Sequence, residues 1–215
     1  MIHDLIRDKK FQELEKEYKF LSRARGETLD KLDYVVFDIE TTGLEPTQHE
    51  ITEIGAIKLK GSEVVGVFSS LVRPGNPIPA EITRFTGIDD QMVQDSPSIS
   101  EVLPRFIEFI NDAPLIAHNA EFDAAFIKQN LKKHLNKDLF NPVICTVKVS
   151  RYLFPDLENH KLHTVARRLG IPVENRHRAM GDAEATYQIW IKALPLLKEK
   201  GISSKRELDD LLSRL

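Results

Sequence analysis

Cysteine is nearly missing from this chain of 215 residues, with Cys145 the only one. An internal disulfide is thereby excluded, as is any Cys-x-x-Cys zinc or redox motif. Nor is there a long hydrophobic run. No stretch nears the roughly 18 apolar residues that a membrane span needs, so no membrane partner is expected. The opening segment, Met1 to Lys10, has no continuous apolar core, so a cleaved secretion signal is not expected and a reducing, cytoplasmic setting is. Excess positive charge is missing too. Thirty Lys and Arg stand against 33 Asp and Glu, a net charge of -3. That excludes a broadly basic surface, while leaving room for a basic rim around an acidic centre. There is no Walker loop, internal repeat or low-complexity tract. What remains is 41% hydrophobic and 29% charged residues, the balance of a globular chain long enough for one ordinary domain.

The periodicity predicts an α/β architecture. Phe11, Leu14, Tyr18 and Leu21 recur at spacings of three and four, which predicts an N-terminal helix stopped near Gly26. Tyr34-Val35-Val36-Phe37-Asp38-Ile39 is rich in strand formers. Second and third strands are expected over residues 51–60 and 63–72, joined by the turn Lys60-Gly61-Ser62, which makes an antiparallel meander. Pro74, Pro77 and Pro79 mark a loop. Helical spacing follows over Val102 to Ile110, then a short buried strand at Leu115-Ile116-Ala117 and a helix from Glu121 to Leu135. Val143-Ile144-Cys145 reads as a further buried strand, with Cys145 a core residue rather than a reactive thiol. Helices are expected from Leu162 to Leu169 and from about Asp182 onward. Strands separated by helices imply parallel additions to the sheet. The division expected is a helical extension over 1–31, a domain over 32–198 and a C-terminal helix over 199–215. In that last helix Ser204 and Glu207 form a capping box, and Leu208, Leu211, Leu212 and Leu215 the apolar face.

Three polar islands interrupt this pattern. Asp38 and Glu40 lie two apart at the end of a buried strand and so share a face, where their charges repel and desolvation is costly. A divalent cation removes that cost; a strand that has simply ended in water would remove it equally. His118-Asn119-Ala120-Glu121-Phe122-Asp123 follows the Leu115 strand and opens a helix, where an ordinary cap is the plain reading. His177-Arg178-Ala179-Met180-Gly181-Asp182 precedes the long helix. It puts Asp182 in the first turn, favoured by the helix dipole with or without a function.

Together, and in this order, Asp-x-Glu, His-Asn-Ala-x-Phe-Asp and His-x4-Asp resemble the DEDD exonuclease superfamily over about residues 34 to 192. The histidine five residues before the last aspartate is similar to that of its DEDDh branch, which includes the proofreading subunit of the bacterial replicative polymerase. Thr83-Arg84-Phe85-Thr86-Gly87-Ile88 resembles a Thr-Gly-Ile segment that lines the terminal nucleotide in that family. The resemblance implies a ribonuclease H-like fold; with the elements read above, the fold expected is a mixed five-stranded sheet, antiparallel meander then parallel strands, flanked by helices, with helical extensions at both ends. It implies hydrolysis of DNA from the 3′ end to nucleoside 5′-monophosphates, with two Mg²⁺ or Mn²⁺ ions about 4 Å apart. Asp38, Glu40 and Asp182 would hold the metals, Asp38 bridging both, and Asp123 would bind more weakly through water. His177 would take a proton from the attacking water, a task suited to imidazole because it titrates near neutral pH.

Substrate contacts implied are the backbone amides of Thr41 and Thr42, the Thr86 segment, and Phe85 and Phe122 against a sugar or base, although both aromatics also read as core. Asn119 would orient the second island and His118 support it. Lys148, Arg151, Lys161, Arg167, Arg176 and Arg178 are candidate phosphate contacts, each also readable as a solvated surface charge. The expected partner is a nucleic acid 3′ end, single-stranded DNA favoured, with a polymerase or a second copy as a docking partner. Two alternatives stay open at this point: an exoribonuclease with the same chemistry, and a non-catalytic module that grips 3′ ends or docks a polymerase.

Overall fold

The computed structural model describes residues 28–173 and 177–214. The predicted N-terminal helix, Arg176 and Leu215 lie outside them. The central strand β1, Asp33–Thr41, is buried on both faces along most of its length. Its alternation divides its apolar residues between two cores. Val35, Phe37 and Ile39 face one side, and Tyr34 and Val36 the other. β2, Ile51–Lys60, and β3, Glu63–Leu71, follow as the antiparallel meander. β4, Leu115–Ala117, and β5, Val143–Cys145, then join in parallel, giving the order β3-β2-β1-β4-β5. This is the mixed five-stranded sheet expected, and Cys145 is buried in its last strand.

Helices cover both faces. Three of them lie between β3 and β4: α1, Ala80–Thr86, α2, Asp90–Val93, and α3, Ile99–Ile110. α4, Ala120–Asn130, follows β4 and loosens into a π turn over Leu131–Leu135. α3 and α4 bury Val102, Leu103, Phe106, Phe126 and Ile127 against the Phe37 face. α5, Thr146–Leu153, and α6, Leu162–Arg168, come after β5. α7, Ala179–Glu199, then crosses the opposite face, where Trp190 meets the Tyr34 ring edge-on at 5.3 Å. Such a pair contributes about 0.5–1.5 kcal/mol beyond area burial. The Tyr34 hydroxyl donates to Leu29 O at 2.9 Å, so its polar tip is satisfied.

The last helix, α8, Lys205–Leu212, has the expected Ser204–Glu207 capping box and buries Leu208 in the Trp190 core. The bounds shift elsewhere. α7 begins at Ala179 rather than Asp182, which keeps Asp182 in its first turn. The sequence reading gave no helix over α1, α2 or α5. Among the described residues no helix is long and apolar enough to cross a membrane.

Candidate active site

Even-numbered residues of β1 point toward α7, and this puts Asp38 and Glu40 on the face where Asp182 arrives. The three side chains each offer an oxygen within 4.8 Å of the others. Loss of water pushes the Glu40 carboxyl up to about 8, helped by the charges of Asp182, Glu53 and Asp123 and opposed by Arg178. Burial raises Asp38 well above the usual carboxylate range, and Asp123, Glu40, Asp182 and Glu53 add to it. Three repelling carboxylates held this close in a protein interior are stable only when protonated or when a cation joins them. The donor set is all oxygen, so it fits a hard divalent ion such as Mg²⁺ or Mn²⁺.

Asp123 adjoins this cluster, and its charge acts on Asp38 and Glu40. It lies buried in the first turn of α4, and its Oδ1 accepts from the Ile39 amide at 3.2 Å. Burial pushes it up to about 7, against the pull of its own amide and that of Ile39. The second island is thus tied to β1 between the two acids of the first. Asn119 makes no side-chain cap. It adopts φ 67°, the left-handed region that Asn tolerates, and its carbonyl accepts from the Phe122 amide. His118 supports the island: its Nδ1 pairs with Thr146 Oγ1 and its Nε2 with His160 O, both at 2.9 Å. Burial lowers it to about 4, which favours the neutral ring.

His177 also has a left-handed backbone, φ 61°. Its amide donates to Asp182 Oδ2 at 3.3 Å, which ties the histidine to a cluster carboxylate through the main chain. Its ring lies against Phe85, with centroids 3.9 Å apart. Phe85, 60% exposed, is therefore no core residue. It brings the end of α1 to the histidine. Phe122 differs, being partly buried with its ring 5.0 Å from Phe126, in the core position foreseen as one of its two readings.

The other residues expected to meet the substrate also make bonds within the protein. Thr86 Oγ1 donates to Ile82 O and accepts from Ile88 N. Thr41 Oγ1 donates to Gly43 O. The Thr42 amide, expected to face the substrate, donates to Glu50 O at 2.8 Å, because the chain pairs back toward β2 beyond the bulge at Glu40 and Thr41. Among the basic residues, Lys148 lies 3.7 Å from Glu121 and Arg167 3.6 Å from Glu158, while Arg151 and Lys161 are exposed. Arg178, its side chain 37% exposed, is paired within the protein. It forks onto Glu53, a buried residue that the sequence reading did not single out. The signal available was an acid within the apolar run Ile51-Thr52-Glu53-Ile54.

This sheet, with acids on its central strand and on the helices at either side, defines the class. The family model described as "Exonuclease" matches residues 35–190, and the chain belongs to that family of nucleic-acid hydrolases. Similar relatives include the PolC-type DNA polymerase III of Caldanaerobacter subterraneus, 48% identical over 84% of this chain and 13% of its own length. That of Clostridium perfringens is 51% identical over 78% of this chain and 12% of its own. A DNA polymerase III subunit epsilon-like protein of Rhodobacter capsulatus is 46% identical over 84% of this chain and 26% of its own. The chain thus spans a small part of the curated relatives it matches. Exonuclease X, solved in complex with 5′ overhanging duplex DNA, aligns with 25% identity and TM-score 0.66, over 83% of this chain and 99% of that one. Exonuclease I of E. coli, solved with a dT13 oligonucleotide, shares the fold at TM-score 0.68 and 18% identity, over 79% and 43%.

Proposed function

We propose that this chain hydrolyses DNA from its 3′ end, one nucleoside 5′-monophosphate at a time, in proofreading or repair. The observation that carries the proposal is the convergence of Asp38, Glu40 and Asp182 on one point, with His177 bound through its amide to Asp182. The relatives' names, DNA polymerase III of PolC type and epsilon-like, support DNA as substrate and a polymerase as partner. So does exonuclease X, whose structure holds a DNA duplex.

In this reading Asp38, Glu40 and Asp182 would hold divalent Mg²⁺ or Mn²⁺ ions, two of them, with Asp123 a weaker participant. Bound there, the ions supply Lewis acidity and neutralise the charge that develops on the phosphoryl oxygens. His177 accepts the proton of the attacking water. The water oxygen bonds to phosphorus as the bond from phosphorus to the preceding nucleotide's 3′-oxygen breaks, and that oxygen takes a proton from solvent. Phe85, exposed beside His177, packs on the terminal sugar or base.

The test is a side-by-side digestion of 5′-labelled single-stranded DNA, mismatched-end duplex and short RNA, with Mg²⁺ or Mn²⁺. A ladder shortening from the 3′ end, with 5′-monophosphates released from DNA faster than from RNA, is expected. Release of 3′-monophosphates, degradation from the 5′ end, or faster digestion of the RNA would overturn the reading.

A further inference from the structure

Glu53 is an expensive residue. It lies inside β2, only 3% exposed, and pairs directly with Glu40 across the antiparallel ladder, on the face that looks at α7. A fifth acid beside four others adds to the repulsion there. Both its oxygens are nevertheless engaged. Oε1 accepts from Arg178 Nη2 at 2.8 Å, and Oε2 accepts from Arg178 Nε at 3.0 Å and from the Ala179 amide at 2.9 Å. Arg178 and Ala179 lie between His177 and Asp182 in the chain. Glu53 therefore caps the first turn of α7 from another strand, satisfying an orphan amide and meeting the positive end of the helix dipole.

The close approach needs room, and β2 provides it two residues further on. A Cβ added at Gly55 would meet the carbonyl carbon of Ala179 and the amide of Met180 at 2.5 Å. Glu53 and Gly55 share a face, one gripping the helix end and the other letting its backbone come close. The planar guanidinium suits the grip, because two parallel N–H donors fix direction as well as distance.

We infer that Glu53, acting with Arg178, is a positioning residue for the hydrolysis: the fork seats the first turn of α7 on β2 so that Asp182 meets Asp38 and Glu40 and His177 is delivered beside them. This rests on the function proposed above. Glu53 is not assigned to the metal ligands, since its oxygens are taken.

The test compares wild type, Glu53→Gln, Arg178→Lys, His177→Ala and the double variant Glu53→Gln/His177→Ala. Folding is checked by circular dichroism, Mn²⁺ affinity by calorimetric titration, and kcat and KM on single-stranded DNA. Glu53→Gln keeps the size but sets an NH2 group against a guanidinium donor. A folded Glu53→Gln with kcat down about 10–100-fold, KM near wild type and weaker Mn²⁺ binding is expected, the usual effect of losing an outer support of a metal site. Arg178→Lys, which keeps the charge but not the fork, should fall in the same direction. Because Glu53 acts partly through His177, the double variant should lose less than the product of the single losses. Wild-type kcat and Mn²⁺ affinity in folded Glu53→Gln overturn the inference, as do multiplicative losses with unchanged Mn²⁺ affinity. If Glu53→Gln does not fold, Arg178→Lys decides by the same two measurements. Failure of the exonuclease reading looks different: the wild type then releases no mononucleotide, and the Mn²⁺ titration still decides whether Glu53 shapes the carboxylate cluster.

Discussion

Asp38 illustrates how a residue can work against the stability of the protein that carries it. Its carboxylate is held near those of Glu40 and Asp182, and burial, with the neighbouring carboxylates, raises it well above its usual range. Replacement by Asn removes one charge from a repelling set while keeping the shape. Asp38→Asn is therefore expected to fold, to melt at or above the wild-type temperature without metal, and to release no detectable mononucleotide. Thermal melts in EDTA beside a turnover assay in Mg²⁺ check both halves, and near-normal turnover would remove the metal-site reading. His177 works in the opposite sense. Its link to Asp182 runs through its backbone amide, so His177→Ala keeps that bond. The variant should retain Mn²⁺ binding while losing about 10²–10⁴-fold in rate, the usual worth of a positioned base. Parallel titration calorimetry and single-turnover kinetics separate the two effects. Equal rates would leave His177 as a loop histidine packed against Phe85.

At the scale of elements, the site depends on how closely α7 settles on β2, and Gly55 sets that distance. Gly55→Ala puts a methyl group 2.5 Å from backbone atoms of Ala179 and Met180, which no side-chain rotation relieves. A loss of about 1–3 kcal/mol is expected, the range for overpacking a filled interior, together with weaker Mn²⁺ binding as Asp182 moves away. Urea denaturation and metal titration read these directly; wild-type values in both would mean that the helix end is more compliant than its packing implies. The same dependence on register explains what was legible beforehand. The strand around Tyr34, the Leu115 and Val143 strands and the Ser204 cap each announce themselves within a few residues, through apolar alternation or a local hydrogen-bonding pair. α5 does not. Its buried residues Thr146, Val149, Ser150 and Leu153 follow helical spacing, yet two are hydroxylated and hide the stripe. Their hydroxyls are satisfied by His118 and by the Val147 carbonyl, partners visible only in the fold. α1 and α2 are only seven and four residues long, too short for a periodicity to declare itself. At the site, Asp38, Glu40, Asp123, His177 and Asp182 could be picked out because their order and spacing resemble a family pattern. The Glu53–Arg178 fork joins positions 125 residues apart through the packing of α7 on β2, so no local signal marks it.

For the whole molecule, the acidic centre makes stability depend jointly on pH and on divalent metal. Glu40 normally ionises near 4.5 and is raised to about 8; Asp123 normally ionises near 3.8 and is raised to about 7. Between about pH 4 and pH 8 the unfolded chain has therefore released protons that the folded, metal-free chain still holds. The native state binds more protons across that window, so its stability falls as pH rises through it and levels off above about 8. Below about pH 4 both states are protonated, so stability is at its fullest with respect to these groups and no longer changes with pH. A cation binding the ionised cluster reverses the trend, since it favours the deprotonated form and binds the folded state alone. At a free concentration about 100 times its dissociation constant, such a ligand adds about 2.7 kcal/mol. Metal-free protein should thus melt at a lower temperature at pH 8 than at pH 5, and Mg²⁺ or Mn²⁺ should raise the melting temperature far more at pH 8. Turnover should stop in EDTA and return with either ion. The control is Glu40→Gln, which lacks one of the titrating carboxyls and should show a flatter metal-free profile between the two pH values. Melting curves at both, with and without Mn²⁺, make the comparison. A wild-type melting temperature that rises from pH 5 to pH 8 without metal, or a Mn²⁺ shift equal at both, would mean that these carboxyls ionise freely in the folded chain and that the cluster is not strained toward a cation.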